Sequence, residues 1–148
     1  MKHIWSVLCS KSIVDEQTNL ISLFDCMEEI QVHFSGADKK NISVLKKDEK
    51  KNVPVNLEIT SLWFSEEIKE DRKLEIKIGL YNPGNKNIAP ILNEFTLPKE
   101  YKRLRTRIKI NSIPFTISGE YNFDISFKER GQRNYTDATR IPLTIKIE

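Results

Sequence analysis

Histidine and cysteine are scarce in this chain. His3, His33, Cys9 and Cys26 are all that its 148 residues supply. Structural zinc sites bring their ligands in closely spaced pairs, so that one turn presents two of them, and none of these four residues has such a neighbour. A soft-metal centre is therefore not expected. The acidic residues are dispersed and no Asp-x-Asp-x-Asp-Gly loop occurs, which argues equally against a hard-cation site. Glycine is also rare. Its five residues include none at the spacing of a dinucleotide-binding or phosphate-binding loop, so a nucleotide-dependent reaction is not expected. Long apolar runs are missing too, since nothing approaches the roughly eighteen residues that span a bilayer. Residues 4–9, broken by Ser6, are too short for the apolar region of a secretory signal, and Val7-Leu8-Cys9 lacks the small residues of a cleavage site. The expectation is a cytoplasmic protein with no membrane partner. Its cysteines are then reduced thiols packed on strands, and a disulfide between them would require those strands to pair.

The same scarcity bears on catalysis. Cys9 with His33 or His3 is the sole conceivable nucleophile–base pair, and nothing around Cys9 resembles a nucleophile turn or a helix N-terminus that would lower a thiol pKa. Glu28-Glu29 and Glu66-Glu67 are adjacent, so on a strand their carboxylates leave opposite faces and cannot share a substrate. No catalytic residue and no cofactor are assigned, and an enzyme is not expected.

What the chain does have is alternation. Leu74, Ile76, Ile78 and Leu80 point one way while Lys73, Glu75 and Lys77 point the other, the pattern of a half-buried strand. Hydrophobic residues at 39% and charged residues at 30%, with a net charge of +3, describe one domain spanning residues 1–148. Residues 3–13 and 20–24 read as a hairpin about a polar turn at 15–19, and 27–34 as a further strand after a break at 25–28. Residues 35–52, rich in lysine from Lys39 to Lys51, lose periodicity and read as a solvated connection, although Ile42, Val44 and Leu45 suggest some core contact. Pro54 opens a long strand through Phe64. The strand at 74–81 closes on Asn82-Pro83-Gly84-Asn85, where Gly84 is expected to take a positive φ. Strands follow at 91–97 and 104–110, then a connection or edge segment at 112–118 carrying Pro114. A strand with Tyr121, Phe123, Ile125 and Phe127 inward precedes a last one with Ile141, Leu143, Ile145 and Ile147 on one face, whose Pro142 points to an edge. Eight or nine strands and no amphipathic helix predict an all-β fold, an antiparallel two-sheet β-sandwich. Tyr121, two residues before inward Phe123, has the spacing of the tyrosine corner in immunoglobulin-like sandwiches.

One local feature suggests a ligand. Lys99, Lys102, Arg103, Arg105, Arg107 and Lys109 form a basic run offset by Glu100, and Arg103, Arg105, Arg107 and Lys109 share one strand face in steps of about 7 Å. Such a row can track a polyanion such as nucleic acid. The competing reading is a solvent-facing strand whose lysines and arginines deter aggregation and pair with glutamates on a neighbour. No interleaved aromatic platform is expected beside it. Trp5, Trp63 and Phe64 could anchor a partner, although large aromatics more often fill a core. Because Leu62, Trp63 and Phe64 are consecutive, one large apolar group must lie on the face opposite its neighbours.

The N-terminal third, with Trp5-Ser-Val-Leu-Cys9, a polar turn and Leu20-Ile-Ser-Leu-Phe24, resembles a group of small bacterial proteins that form a domain family of unknown function. The late Gly119-x-Tyr-x-Phe123 strand is similar to one in that group as well. The resemblance implies a small β-sandwich and supplies no functional residue. It departs from the group where the Lys-rich connection is inserted. Taken together, the sequence predicts a non-catalytic protein-binding or assembly module whose partner is another protein or a second copy. The alternative is a polyanion-binding module using the basic run at 99–109.

Overall fold

A computed structural model describes residues 1–33, 51–66 and 69–147. Among these residues the chain is all β, with no helix. Ten strands follow one another: β1 (Lys2–Cys9), β2 (Lys11–Val14), β3 (Ile21–Phe24), β4 (Glu29–Val32), β5 (Lys51–Phe64), β6 (Arg72–Tyr81), β7 (Asn87–Leu97), β8 (Arg103–Phe115), β9 (Gly119–Glu129) and β10 (Thr136–Ile147). They form a three-stranded sheet in the order β1-β5-β8, a five-stranded sheet in the order β4-β10-β9-β6-β7, and the β2-β3 hairpin.

Alternation dictates the core. Leu8, Leu57, Ile59, Trp63, Ile108 and Ile110 of the three-stranded sheet share one buried cluster with Leu74, Ile76, Ile78, Phe123, Ile125 and Leu143 of the five-stranded sheet. The Trp63 ring lies edge-on to Phe127, 5.1 Å between centroids, so one aromatic contact joins the sheets. Polar atoms on the inner face are satisfied locally: Trp63 Nε1 donates to Thr106 Oγ1 at 3.0 Å, and Ser6 and Ser61 hydroxyls meet at 2.7 Å. Tyr121 is fully buried, and its hydroxyl donates to the Ile117 carbonyl at 2.8 Å while accepting from the Thr116 and Ile117 amides at 3.0 and 3.2 Å. A buried phenol thereby satisfies three backbone groups of the bend that leads into β9.

The structure corrects the expected strand map in several places. The described residues form ten strands rather than eight or nine, because the first segment breaks at Ser10 and its second half pairs with β3 in a separate hairpin. The ladder is not antiparallel throughout. β4 runs parallel to β10, from Glu29↔Thr144 to Val32↔Ile147, and no short turn joins these strands to impose the antiparallel sense. Pro54 lies inside β5 rather than at its start, beside a register irregularity between Pro54 and Leu57 that relieves the ladder of the missing N–H. β7 begins at Asn87 and carries Pro90, which the edge position tolerates, while residues 112–115 continue β8 along the other sheet's edge. β10 is interior rather than an edge, but β4 covers only residues 144–147 of it, so Pro142 sits where that side of the strand is unpaired. In the tight turn Asn85 rather than Gly84 takes the positive φ, at 58°, with Asn85 N donating to the Asn82 carbonyl at 2.8 Å. Gly119 has φ 143° and packs so close to Pro83 that a Cβ would come within 2.9 Å of its ring, so that turn fixes where β9 begins. The Lys-rich connection lies outside the described residues, except that Lys51 and Asn52 open β5.

Candidate functional site: the outer face of the three-stranded sheet

Cross-strand register determines which residues share the face turned away from the core. Glu58, Thr60, Leu62 and Phe64 of β5 lie opposite Lys109, Arg107, Arg105 and Arg103 of β8, and Thr60, Leu62 and Glu58 lie opposite Val7, Trp5 and Cys9 of β1. The inner residues of β8 between them, Thr106, Ile108 and Ile110, are buried. The four cations therefore form one row along an edge strand. Lys99 and Lys102 sit apart from it, exposed in the connection from β7.

The neighbours of the row decide between the two readings of it. Lys109 faces a carboxylate across the ladder, Glu58. Arg107, Arg105 and Arg103 face a threonine, a leucine and a phenylalanine, so three of the four guanidinium or ammonium groups have no acid opposite them. Glu58 is itself only 4% exposed and accepts hydrogen bonds from the Ser12 and Thr60 hydroxyls, the latter at 3.0 Å. Cross-strand register thus sets a glutamate opposite Lys109 alone, and that carboxylate is taken up by hydroxyls.

The β2-β3 hairpin stands over part of this face. Asp15 Oδ1 accepts from the Gln17 and Thr18 amides at 3.0 and 2.7 Å, which shapes the turn, and Asn19 closes it with φ 55°. Hydrogen bonding by Thr18 to Asp15 holds that carboxyl below its ordinary pKa. Asn19 Oδ1 then accepts from Arg105 Nη1 at 2.9 Å, fixing one arginine of the row, and Ser12 holds the hairpin's other end to Glu58. Between the hairpin and the connection from β7 lies an open groove of about 640 Å³ lined by Val14, Asn19, Glu100, Tyr101, Lys102, Arg103, Arg105 and Arg107. Tyr101 is 63% exposed. No interleaved aromatic platform was expected beside the row; a single exposed ring, Tyr101, stands at the end of the connection into β8, within the basic run itself. The connection is well anchored: Tyr101 N donates to the Pro98 carbonyl at 3.0 Å, Lys99 N to Asp71 Oδ1 at 2.9 Å, and Ser65 N to the Lys102 carbonyl at 2.8 Å.

The other residues singled out by sequence lie elsewhere or do something structural. Trp63 is fully buried between His3 and Phe127, while Trp5, Leu62 and Phe64 are half-buried on the outer face. His3 Nε2 meets Ser6 Oγ at 2.8 Å, and burial pushes its pKa below the ordinary imidazole value, opposed by a backbone hydrogen bond at Trp5. Cys9 is buried and Cys26 exposed, both as free thiols. Burial pushes the Cys9 thiol up, the Thr60 hydroxyl opposes this, and the Glu58 charge adds to it, which is the reverse of what a nucleophile needs. Among the described residues no three His, Cys, Asp or Glu side chains gather where they could hold a metal ion, and no helix is long and apolar enough to cross a membrane.

No family profile and no curated protein matches this chain. The geometry of the outer face is thus the basis for a functional reading.

Proposed function

We propose that this chain is a non-catalytic binding module on an immunoglobulin-like two-sheet sandwich, working in the cytoplasm, and that the outer face of β8 takes an anionic chain as its partner. Support for the sandwich comes from the single core shared by the two larger sheets and from Tyr121, whose hydroxyl bonds back to the bend four residues upstream as a tyrosine corner does. Two free thiols favour a reducing compartment. The short motifs ending in Cys9 and spanning Gly119 to Phe123 support placing the chain beside the small bacterial family that they resemble. The observation that carries the ligand assignment is the register that sets Arg103, Arg105 and Arg107 opposite Phe64, Leu62 and Thr60. Three positive charges held in a row without acids across from them raise the local potential and attract a partner of opposite sign.

Heparin serves as a generic anionic chain for the test. The wild type binds it at low salt, and the double substitution Arg105→Glu with Arg107→Glu abolishes that binding while leaving the unfolding midpoint in place. Undiminished heparin binding by the charge-reversed protein contradicts the assignment.

A further inference from the structure

Resting on that reading of the face, we infer that the anionic chain is a single-stranded nucleic acid, with Tyr101 stacking on a base and the arginines of β8 tracking its phosphates. Successive arginines on one strand face stand about 7 Å apart, a step comparable to that between phosphates of an extended single strand. The row alone does not distinguish nucleic acid from any other polyanion. Tyr101 does. The residue is 63% exposed and lines the same groove, two residues from Arg103, and an exposed ring beside a basic track is the arrangement that receives an unpaired base. A duplex offers no base face to such a ring, because its bases are stacked inside, so the aromatic selects the single strand.

The groove is also prepared for a ligand. Tyr101 projects from a turn tied by two backbone–backbone hydrogen bonds, with Pro98 and Ser65, and by one from the Lys99 amide to the Asp71 carboxylate, and Arg105 is oriented by Asn19. Less ordering is then required on binding than for free side chains. Among the described residues that line this groove Glu100 is the one carboxylate, and it opposes a polyanion, so Glu100→Gln is expected to tighten binding. An acidic protein segment would satisfy the arginines but has no comparable use for an exposed ring among them.

The test uses the full chain and fluorescence anisotropy with a labelled oligothymidylate of about ten nucleotides. Tyr101→Ala is expected to weaken oligothymidylate roughly five- to hundred-fold and leave heparin affinity unchanged, with Tyr101→Phe restoring wild-type binding. Because Tyr101 is exposed, these variants keep the fold, which the unfolding midpoint verifies. Equal affinity of Tyr101→Ala and wild type for oligothymidylate overturns the inference, as does tighter binding of a duplex of the same length or of a poly-glutamate peptide. In those outcomes retained heparin binding leaves the broader reading standing. Absence of binding to both heparin and oligothymidylate removes the broader reading and the inference together.

Discussion

The two faces of the β1-β5-β8 sheet are made by alternate residues of the same strands, yet different rules hold them. Toward the core, Leu8, Ile59 and Ile108 stand side by side across three strands, and Trp63 completes the face against Phe127 of the opposite sheet. Each of these positions is specified by burial, and the cross-strand neighbours Leu8, Ile59 and Ile108 are all aliphatic. On the outer face the neighbours differ in kind: half-buried Leu62 and Phe64 lie beside arginines, and a buried glutamate lies beside a lysine. The inner face is determined by solvent exclusion. The outer face is determined by what is, and what is not, across the ladder from each charge.

Substitutions that separate the faces sharpen this contrast. Trp63→Ala is expected to cost the most, about 3–5 kcal/mol, because it opens a cavity between the sheets and leaves Thr106 without its indole donor; urea unfolding checks it. Tyr121→Phe retains the ring and removes one oxygen, yet it takes the partner from part-buried backbone groups at Thr116 and Ile117, with an expected loss of about 1–1.5 kcal/mol in the same assay. Ser12→Ala releases one end of the hairpin from Glu58 at about 1 kcal/mol, and hydrogen exchange is expected to rise in β2 and β3 while β5 stays protected.

The pH dependence probes the inner face through His3. Burial lowers its folded pKa, so the unfolded chain takes up the proton first as pH falls below about 6.5. This contribution to stability is complete above that pH and declines as pH drops through the lower folded value. Unfolding midpoints between about pH 7 and pH 5 are expected to fall less steeply in His3→Gln than in the wild type; an equal or steeper fall contradicts the assignment.

The smallest stability effects belong to the outer row. Arg107→Gln and Lys109→Gln are each expected to change stability by no more than about 0.5 kcal/mol. Their binding effects are expected to differ, since Lys109 has Glu58 opposite it and Arg107 has Thr60. Heparin affinity should drop more for Arg107→Gln, and an equal drop indicates that the cross-strand carboxylate is immaterial.

How much of this was legible in the sequence follows from the range of each interaction. The inward positions of β6, β8 and β9 were readable, since burial imposes a period of two that needs no knowledge of the neighbour. So was the shared orientation of Arg103, Arg105, Arg107 and Lys109, for the same reason. The hidden features depend on long-range pairing. Nothing local reveals that Glu58 stands opposite Lys109 and accepts from Ser12, that Asn19 reaches Arg105 from a turn 86 residues away, or that β4 joins β10 in parallel. Prolines misled for a related reason: Pro54 and Pro142 mark places where a ladder lapses within a strand, and only the partner's extent shows where that is. Tyr101 is a different case. It stood in the basic run, and its importance emerged when the groove placed it beside the arginines.

On the proposed reading, Arg103, Arg105 and Arg107 act as charges with no acid across the ladder. The most direct measurement of this is the salt dependence of heparin affinity for the wild type and for the triple variant Arg103→Gln, Arg105→Gln, Arg107→Gln, with matched unfolding midpoints. The account predicts a markedly shallower slope of log affinity against log salt in the triple variant, because fewer counterions are released on binding. An identical slope in the two proteins would contradict it.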